Sequence, residues 1–250
     1  LMTMRALTEG CRAMAITAAA AYDAAHHHPD AATRKANQAF HEFMVPLVKG
    51  FSTEMSLEVT SLGVQVHGGM GFIEETGAAQ YYRDAKILTI YEGTTAIQAN
   101  DLVGRKTMRD GGQTARAIAA QIETTEAALR TSGSVAAQAC ARRLAAARVA
   151  FAQVVEFVTA GAKGNPNAVF AGSVPYLMLA GNLVAGWQMA RALLVAQEQL
   201  AQGQGDAAFL HTKIATARFY AEHILSRTPG LRDAIVEGAD SVNALAPDAF

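Results

Sequence analysis

The sequence predicts an all-α protein built as an antiparallel helical bundle. Hydrophobic residues make up 51% of the chain with alanine inflating the share, aromatics only 7%, and prolines number 6. Alanine loses no side-chain freedom in a helix and lets helix axes approach closely, so this mixture favours long packed helices over sheet. Apolar residues recur at three- and four-residue steps through most of the chain. Short runs rich in Gly, Ser, Asn and Pro separate those segments, and short connections make neighbouring helices antiparallel.

The first helix is expected from about Leu1 to about His26, on the stripe Leu1, Met4, Leu7, Cys11, Met14 and Ala18. No capping residue precedes it and position 1 is not Met, which reads as a fragment of a longer chain that begins inside a helix. The polar turn HHHPDAAT, with Pro29 and Asp30, ends that helix. A second, from roughly His41 to His67, places Phe43, Leu47, Phe51, Met55, Leu62 and Val66 on one face; Pro46 is tolerable only near its first turn. Gly68 to Thr76 is expected as a turn, Ala78 to Ala85 as a short helix, and Ile87 to Tyr91 as an extended link. Glu92 is expected to open the next helix, which continues through Ile97, Leu102 and Val103 towards Met108. Paired glycines in RDGGQT then divide the chain into residues 1–108 and 109–250. Helices are expected beyond it at about Thr114 to Arg130, Val135 to Gly161, Pro175 to Gln202, Asp206 to Ser226 and Leu231 to Leu245.

A net charge of −1 gives no broad field for a phosphate backbone, so nucleic-acid binding has no compositional support. Cys11 and Cys140 stand alone, as reduced thiols of a cytoplasmic protein do. The apolar stretch Val174 to Trp187 is interrupted by Pro175, Gly181, Asn182 and Gly186, too short and broken to span a bilayer, and no secretory signal is visible. His26, His27 and His28 lack the spacing of a helical metal site and read as solvated surface, so no metal is assigned. Arg142 and Arg143 read as a solvated face, Tyr176 and Trp187 as core.

The stretch from Gln65 to Gln98, QVHGGMGFIEETGAAQYYRDAKILTIYEGTTAIQ, carries the chemistry. Taken by itself, Glu92 before Gly93, Thr94 and Thr95 at a helix start has a structural reading: complementing the helix macrodipole, worth about 0.3–1 kcal/mol. Its flanks Ile87, Leu88, Ile90 and Tyr91 open a second one, since burial among them would raise its pKa and suit a base that works near neutral pH. The glycines after Gln65, Val66 and His67 read structurally as a helix C-terminus with left-handed residues.

This stretch resembles the C-terminal core of the acyl-CoA dehydrogenases. The resemblance implies that Glu92, in YEGT, is the base that removes the α-proton of an acyl-CoA, while a hydride passes from Cβ to FAD and leaves the trans-2-enoyl-CoA. Gly93 matches the residue that lets the substrate approach. Thr94, Thr95 and Ala96 match positions that contact the same FAD, Ala96 through its backbone alone. Gln65, Val66, His67, Gly68 and Gly69 match a turn that reaches the FAD of a neighbouring subunit, which implies a homo-oligomer, dimer or tetramer. Arg83 and Asp84 match an RDA segment and read as a structural ion pair or a capping group.

The resemblance covers roughly Leu1 to Lys106. Segments such as PYLMLAGNLVAGWQMARALLVAQEQL also resemble the extra C-terminal helical module of a bacterial subgroup of the family, of the 3-methylmercaptopropionyl-CoA dehydrogenase type. The implied protein oxidises an acyl-CoA and passes electrons to electron-transfer flavoprotein, and the fragment alone is expected to be inactive and to hold FAD weakly or not at all. The competing readings are an acyl-CoA oxidase, which would reoxidise its flavin with oxygen, and a non-catalytic helical assembly module.

Overall fold

Helix α1, Met2–His27, buries Ala6, Leu7, Gly10, Met14, Ala18 and Ala21 on one face, the three- and four-residue spacing that a 3.6-residue turn dictates. The computed structural model describes residues 1–161 and 163–249. Gly10 is a point of close approach within the bundle: a Cβ there would lie 2.9 Å from the Tyr220 ring and 3.3 Å from Ala185.

Helix α2, Ala31–Pro46, begins ten residues before the expected His41. The carboxylate of Asp30 accepts from the Thr33 N–H at 2.8 Å, so PDAAT is a helix cap rather than the end of a loop. Pro46 closes α2 far from its first turn, contrary to expectation, and brings no N–H to the ladder. A π-helical turn, Leu47–Phe51, follows and leads without a break into α3, Ser52–Val66. Phe43, Leu47, Phe51 and Met55 are buried as the stripe requires, but Leu62 is half-buried and Val66 is exposed, because α3 leaves the core beyond Met55.

After the 3-10 turn Gly68–Gly71, helix α4 runs Ala78–Leu88, three residues past the expected end, and closes in a hydrogen-bonded turn rather than an extended link. Helix α5 is Thr95–Asp101 and passes into a second π-helical segment, Leu102–Met108. Arg83 pairs with Glu74 at 3.3 Å, not with Asp84, since consecutive helical side chains point away from one another.

The second half holds α6, Gln113–Thr131; α7, Val135–Gly161; α8, Pro166–Ala171; α9, Ser173–Ala201; α10, Ala207–His223; α11, Thr228–Val236; and α12, Ala239–Val242. The expected helices are present apart from the last, which is split into α11 and α12 by the turn at Gly238, and α8 is additional. Among the described residues no strand occurs. Before α6, Gly111 and Gly112 take φ of 64° and 78°, and Asp110 accepts from the Gly112 and Thr114 N–H groups at 2.8 and 2.9 Å. Helix α7 has the length and hydropathy of a membrane span, yet it packs against α6, α9, α10 and α11.

Helix α9 is the axis of the molecule, buried almost all round from Leu177 to Ala190 and touching α1, α5, α7, α10 and α11. Tyr176 and Trp187 are core residues whose polar atoms are matched: Tyr176 Oη lies 3.0 Å from Thr107 Oγ1, and Trp187 Nε1 donates to Thr125 Oγ1 at 2.8 Å. Residues on both sides of Arg109 contribute to one contiguous hydrophobic core. Lys213 donates to Glu9 at 2.8 Å and Arg227 grips Glu58 through two bonds of 2.9 and 3.0 Å, which ties the second half to the first.

Candidate active site

Two segments emerge at opposite ends of α3. At its C-terminal end, Gln65, Val66, His67, Gly68 and Gly69 are all exposed. His67 closes the helix, its Nδ1 2.9 Å from the Gly63 carbonyl oxygen, and Gly68 turns the chain with φ of 61°. A Cβ on Gly71 would collide with the Val64 carbonyl, so the chain folds back tightly on α3. Gly69 differs from these: its φ is not positive and no atom would lie within 4 Å of a Cβ. Neither backbone nor packing within this chain demands glycine there.

The other segment is the loop between α4 and α5. Glu92 is exposed and is the one non-glycine residue with positive φ, 47°, among those described. It does not open a helix, because Thr94 is the N-cap of α5, its hydroxyl accepting from the Ile97 N–H at 3.3 Å. Nor is Glu92 buried by its flanks: Ile87, Ile90 and Tyr91 are 52%, 51% and 46% exposed, so their apolar faces point outward with the carboxylate. Gly93 has φ of 94°, and a Cβ on it would lie 2.7 Å from Gln98 Nε2. Ala96 is exposed, while Thr94 and Thr95 are half-buried.

Long-range contacts hold this loop. The Thr95 N–H donates to the Thr89 carbonyl at 3.2 Å, closing the loop at its base, and the Thr95 hydroxyl donates to Glu54 on α3. Lys49, from the first π-helical turn, donates to the Leu88 and Tyr91 carbonyls at 2.8 and 3.3 Å. Lys49, Glu54 and Gln98 were not anticipated from sequence: the first two reach across about forty residues of chain, and no local spacing marks such a pair. The turn at Gln65 to Gly69 is not brought onto Glu92. Glu54 touches the loop, whereas His67 closes α3 thirteen residues on, a separation of about 20 Å along the helix axis.

Comparison with known proteins places this chain in a family. Residues 1–107 match the model of the acyl-CoA dehydrogenase C-terminal domain, and residues 115–246 match that described as acetyl-CoA dehydrogenase C-terminal like. The chain is 56% identical, over 97% of its length, to 3-methylmercaptopropionyl-CoA dehydrogenase of Ruegeria pomeroyi. The chain belongs to the acyl-CoA dehydrogenase family. It spans 41% of that acyl-CoA dehydrogenase. It is also 35% identical over 94% of its length to a broad-specificity linear acyl-CoA dehydrogenase of Mycobacterium tuberculosis, 40% of which it covers. An acyl-CoA dehydrogenase from Bacillus anthracis, solved in complex with FAD, shares the fold: TM-score 0.71 and 16% identity over 97% of this chain and 43% of that one.

Proposed function

We propose that this chain is the C-terminal part of an FAD-dependent acyl-CoA dehydrogenase that converts an acyl-CoA to the trans-2-enoyl-CoA, with Glu92 as the α-proton base. The observation that carries the reading is the backbone of Glu92. A φ of 47° costs an ordinary side chain about 1–2 kcal/mol, and such strain persists where surrounding structure enforces a functional orientation. Here Lys49, Glu54 and the Thr89–Thr95 bond enforce it.

In the proposed reaction the Glu92 carboxylate takes the α-proton, and the missing side chain of Gly93 leaves room for the thioester. The backbone N–H of Glu92 polarises the thioester carbonyl, which makes the α-proton acidic enough for a carboxylate to remove. FAD supplies the hydride acceptor for Cβ when bound. The residues present suit it: Thr94, Thr95 and Ala96 put a helix start beside Glu92, and the exposed turn of Gln65, Val66, His67, Gly68 and Gly69 offers polar groups to a second dinucleotide. Since these two segments face outward at opposite ends of α3, we assign the Gln65 to Gly69 turn to a neighbouring subunit's FAD, hence a homo-oligomer. Residues 1–108 then carry the catalytic unit and 109–250 an additional module. Electron-transfer flavoprotein is the proposed electron acceptor, and an exposed Glu92 implies that the isolated chain is inactive.

The test is Glu92→Gln in the complete protein. We expect FAD to remain bound and turnover to fall roughly a thousandfold, the scale of losing a positioned base. Turnover near that of the unaltered protein refutes the assignment. Hydrogen peroxide formed in step with product, with no need for an added acceptor, would favour the oxidase instead.

A further inference from the structure

We infer that Lys49 is a positioning residue for Glu92, holding the peptide group that precedes it; the inference rests on Glu92 being the base. The ammonium of Lys49 donates to two backbone carbonyls of the loop and lies 4.7 Å from the centroid of the Tyr91 ring. The first carbonyl, of Leu88, ends α4 and has no helical partner, so a cation there satisfies it and complements the negative end of the helix. The second belongs to Tyr91. Its oxygen shares a rigid plane with the nitrogen and Cα of Glu92, so fixing that oxygen constrains the left-handed backbone of Glu92 and the direction of its carboxylate.

The anchor is itself held. Lys49 sits in the π-helical turn Leu47–Phe51, and the two residues that follow it are wedged against other elements. A Cβ on Gly50 would lie 2.7 Å from Leu177 and 3.0 Å from Gln98, and Phe51 packs directly against Gly181 of α9. Among the described residues no carboxylate lies within 4 Å of Lys49 Nζ, so its donors serve the loop alone. The Thr89–Thr95 and Glu54–Thr95 bonds close the loop on its other side, so removing the ammonium frees the Tyr91–Glu92 peptide without opening the helix that follows.

The test uses the complete protein with Lys49→Met, which keeps the apolar stem, and Lys49→Arg, which keeps a cationic donor. For Lys49→Met we expect kcat about 10- to 100-fold lower with KM changed less than about threefold, the pattern of a misplaced reacting group. Flavin content should be unchanged, and backbone amide exchange should quicken in residues 89–95 without quickening in the other helices. Lys49→Arg should restore slow exchange there and most of kcat. Wild-type kcat in Lys49→Met overturns the inference, as does lost activity with unchanged exchange at 89–95. General quickening across the bundle that Lys49→Arg fails to reverse also overturns it, because Lys49 would then be a stability residue only. Glu92→Gln is assayed beside them: if it keeps turnover, the base reading falls and this inference with it. If Glu92→Gln is inactive while Lys49→Met is fully active, the positioning inference alone falls.

Discussion

At the scale of residues, the loop holding Glu92 concentrates backbone conformations that side chains resist. Gly93 follows Glu92 with φ of 94°, and Gln98 occupies the space beside it. Gly93→Ala should therefore destabilise the chain by about 1–3 kcal/mol, seen as a lower denaturant midpoint with an unchanged slope. Gly69→Ala, with ordinary φ and open surroundings, should cost less than about 0.5 kcal/mol in the same measurement. A large loss at Gly69 would show that its openness to solvent is wrongly assigned. Glu92 was singled out by the resemblance of YEGT to the family's segment, since a carboxylate before Gly-Thr-Thr taken alone reads equally as a helix-start residue. Its exposure and its strained backbone were not legible, since both depend on where Ile87, Ile90 and Tyr91 point after α4 closes.

At the scale of elements, two π-helical turns do work that the apolar stripe conceals. The stripe through Phe43, Leu47, Phe51 and Met55 crosses Pro46 without losing its face, because the turn Leu47–Phe51 adds a residue where the ladder lacks a donor. That turn presents Lys49 to the loop and meets α9 where Gly181 leaves room for Phe51. Gly181→Ala would overpack this crossing. We expect a loss of about 1–3 kcal/mol in chemical unfolding, and a loss below about 0.5 kcal/mol would show that Phe51 moves aside freely. The ends of α1 and α6 were legible within a residue or so because caps and glycines are local signals, whereas the start of α2 was not: PDAAT serves equally for a turn or a cap until Asp30 meets Thr33.

At the scale of the whole molecule, charged pairs join α1 and α3 to the second half of the chain. Glu9 accepts from Lys213 and Arg5, both at 2.8 Å. Burial pushes the Glu9 carboxyl up, but the hydrogen bonds and charges of Lys213 and Arg5 outweigh it and hold the pKa below its ordinary value of 4.5. A lowered folded-state pKa stabilises the fold above the unfolded value and ceases to do so as pH falls through the folded value. The difference in Tm between wild type and Glu9→Gln should thus be largest near neutrality and shrink as pH falls below 4.5 and through the lower folded-state value. A difference that persists or grows in acid would rule out this role. On the inner side of the bundle, Glu126 is fully buried and bound twice by Arg148, at 2.7 and 3.1 Å, which welds α6 to α7.

The sequence by itself determined the helical class, the position of Glu92 before Gly-Thr-Thr and the presence of the glycine turn, because period, capping and short motifs are written in residues a few positions apart. Tertiary structure alone decided that the glycine turn and Glu92 lie at opposite ends of α3, that both halves share one core, and that Lys49 reaches the loop of Glu92. Those facts depend on contacts between residues 39 to 204 positions apart, formed when side chains without any common local pattern meet as the helices pack.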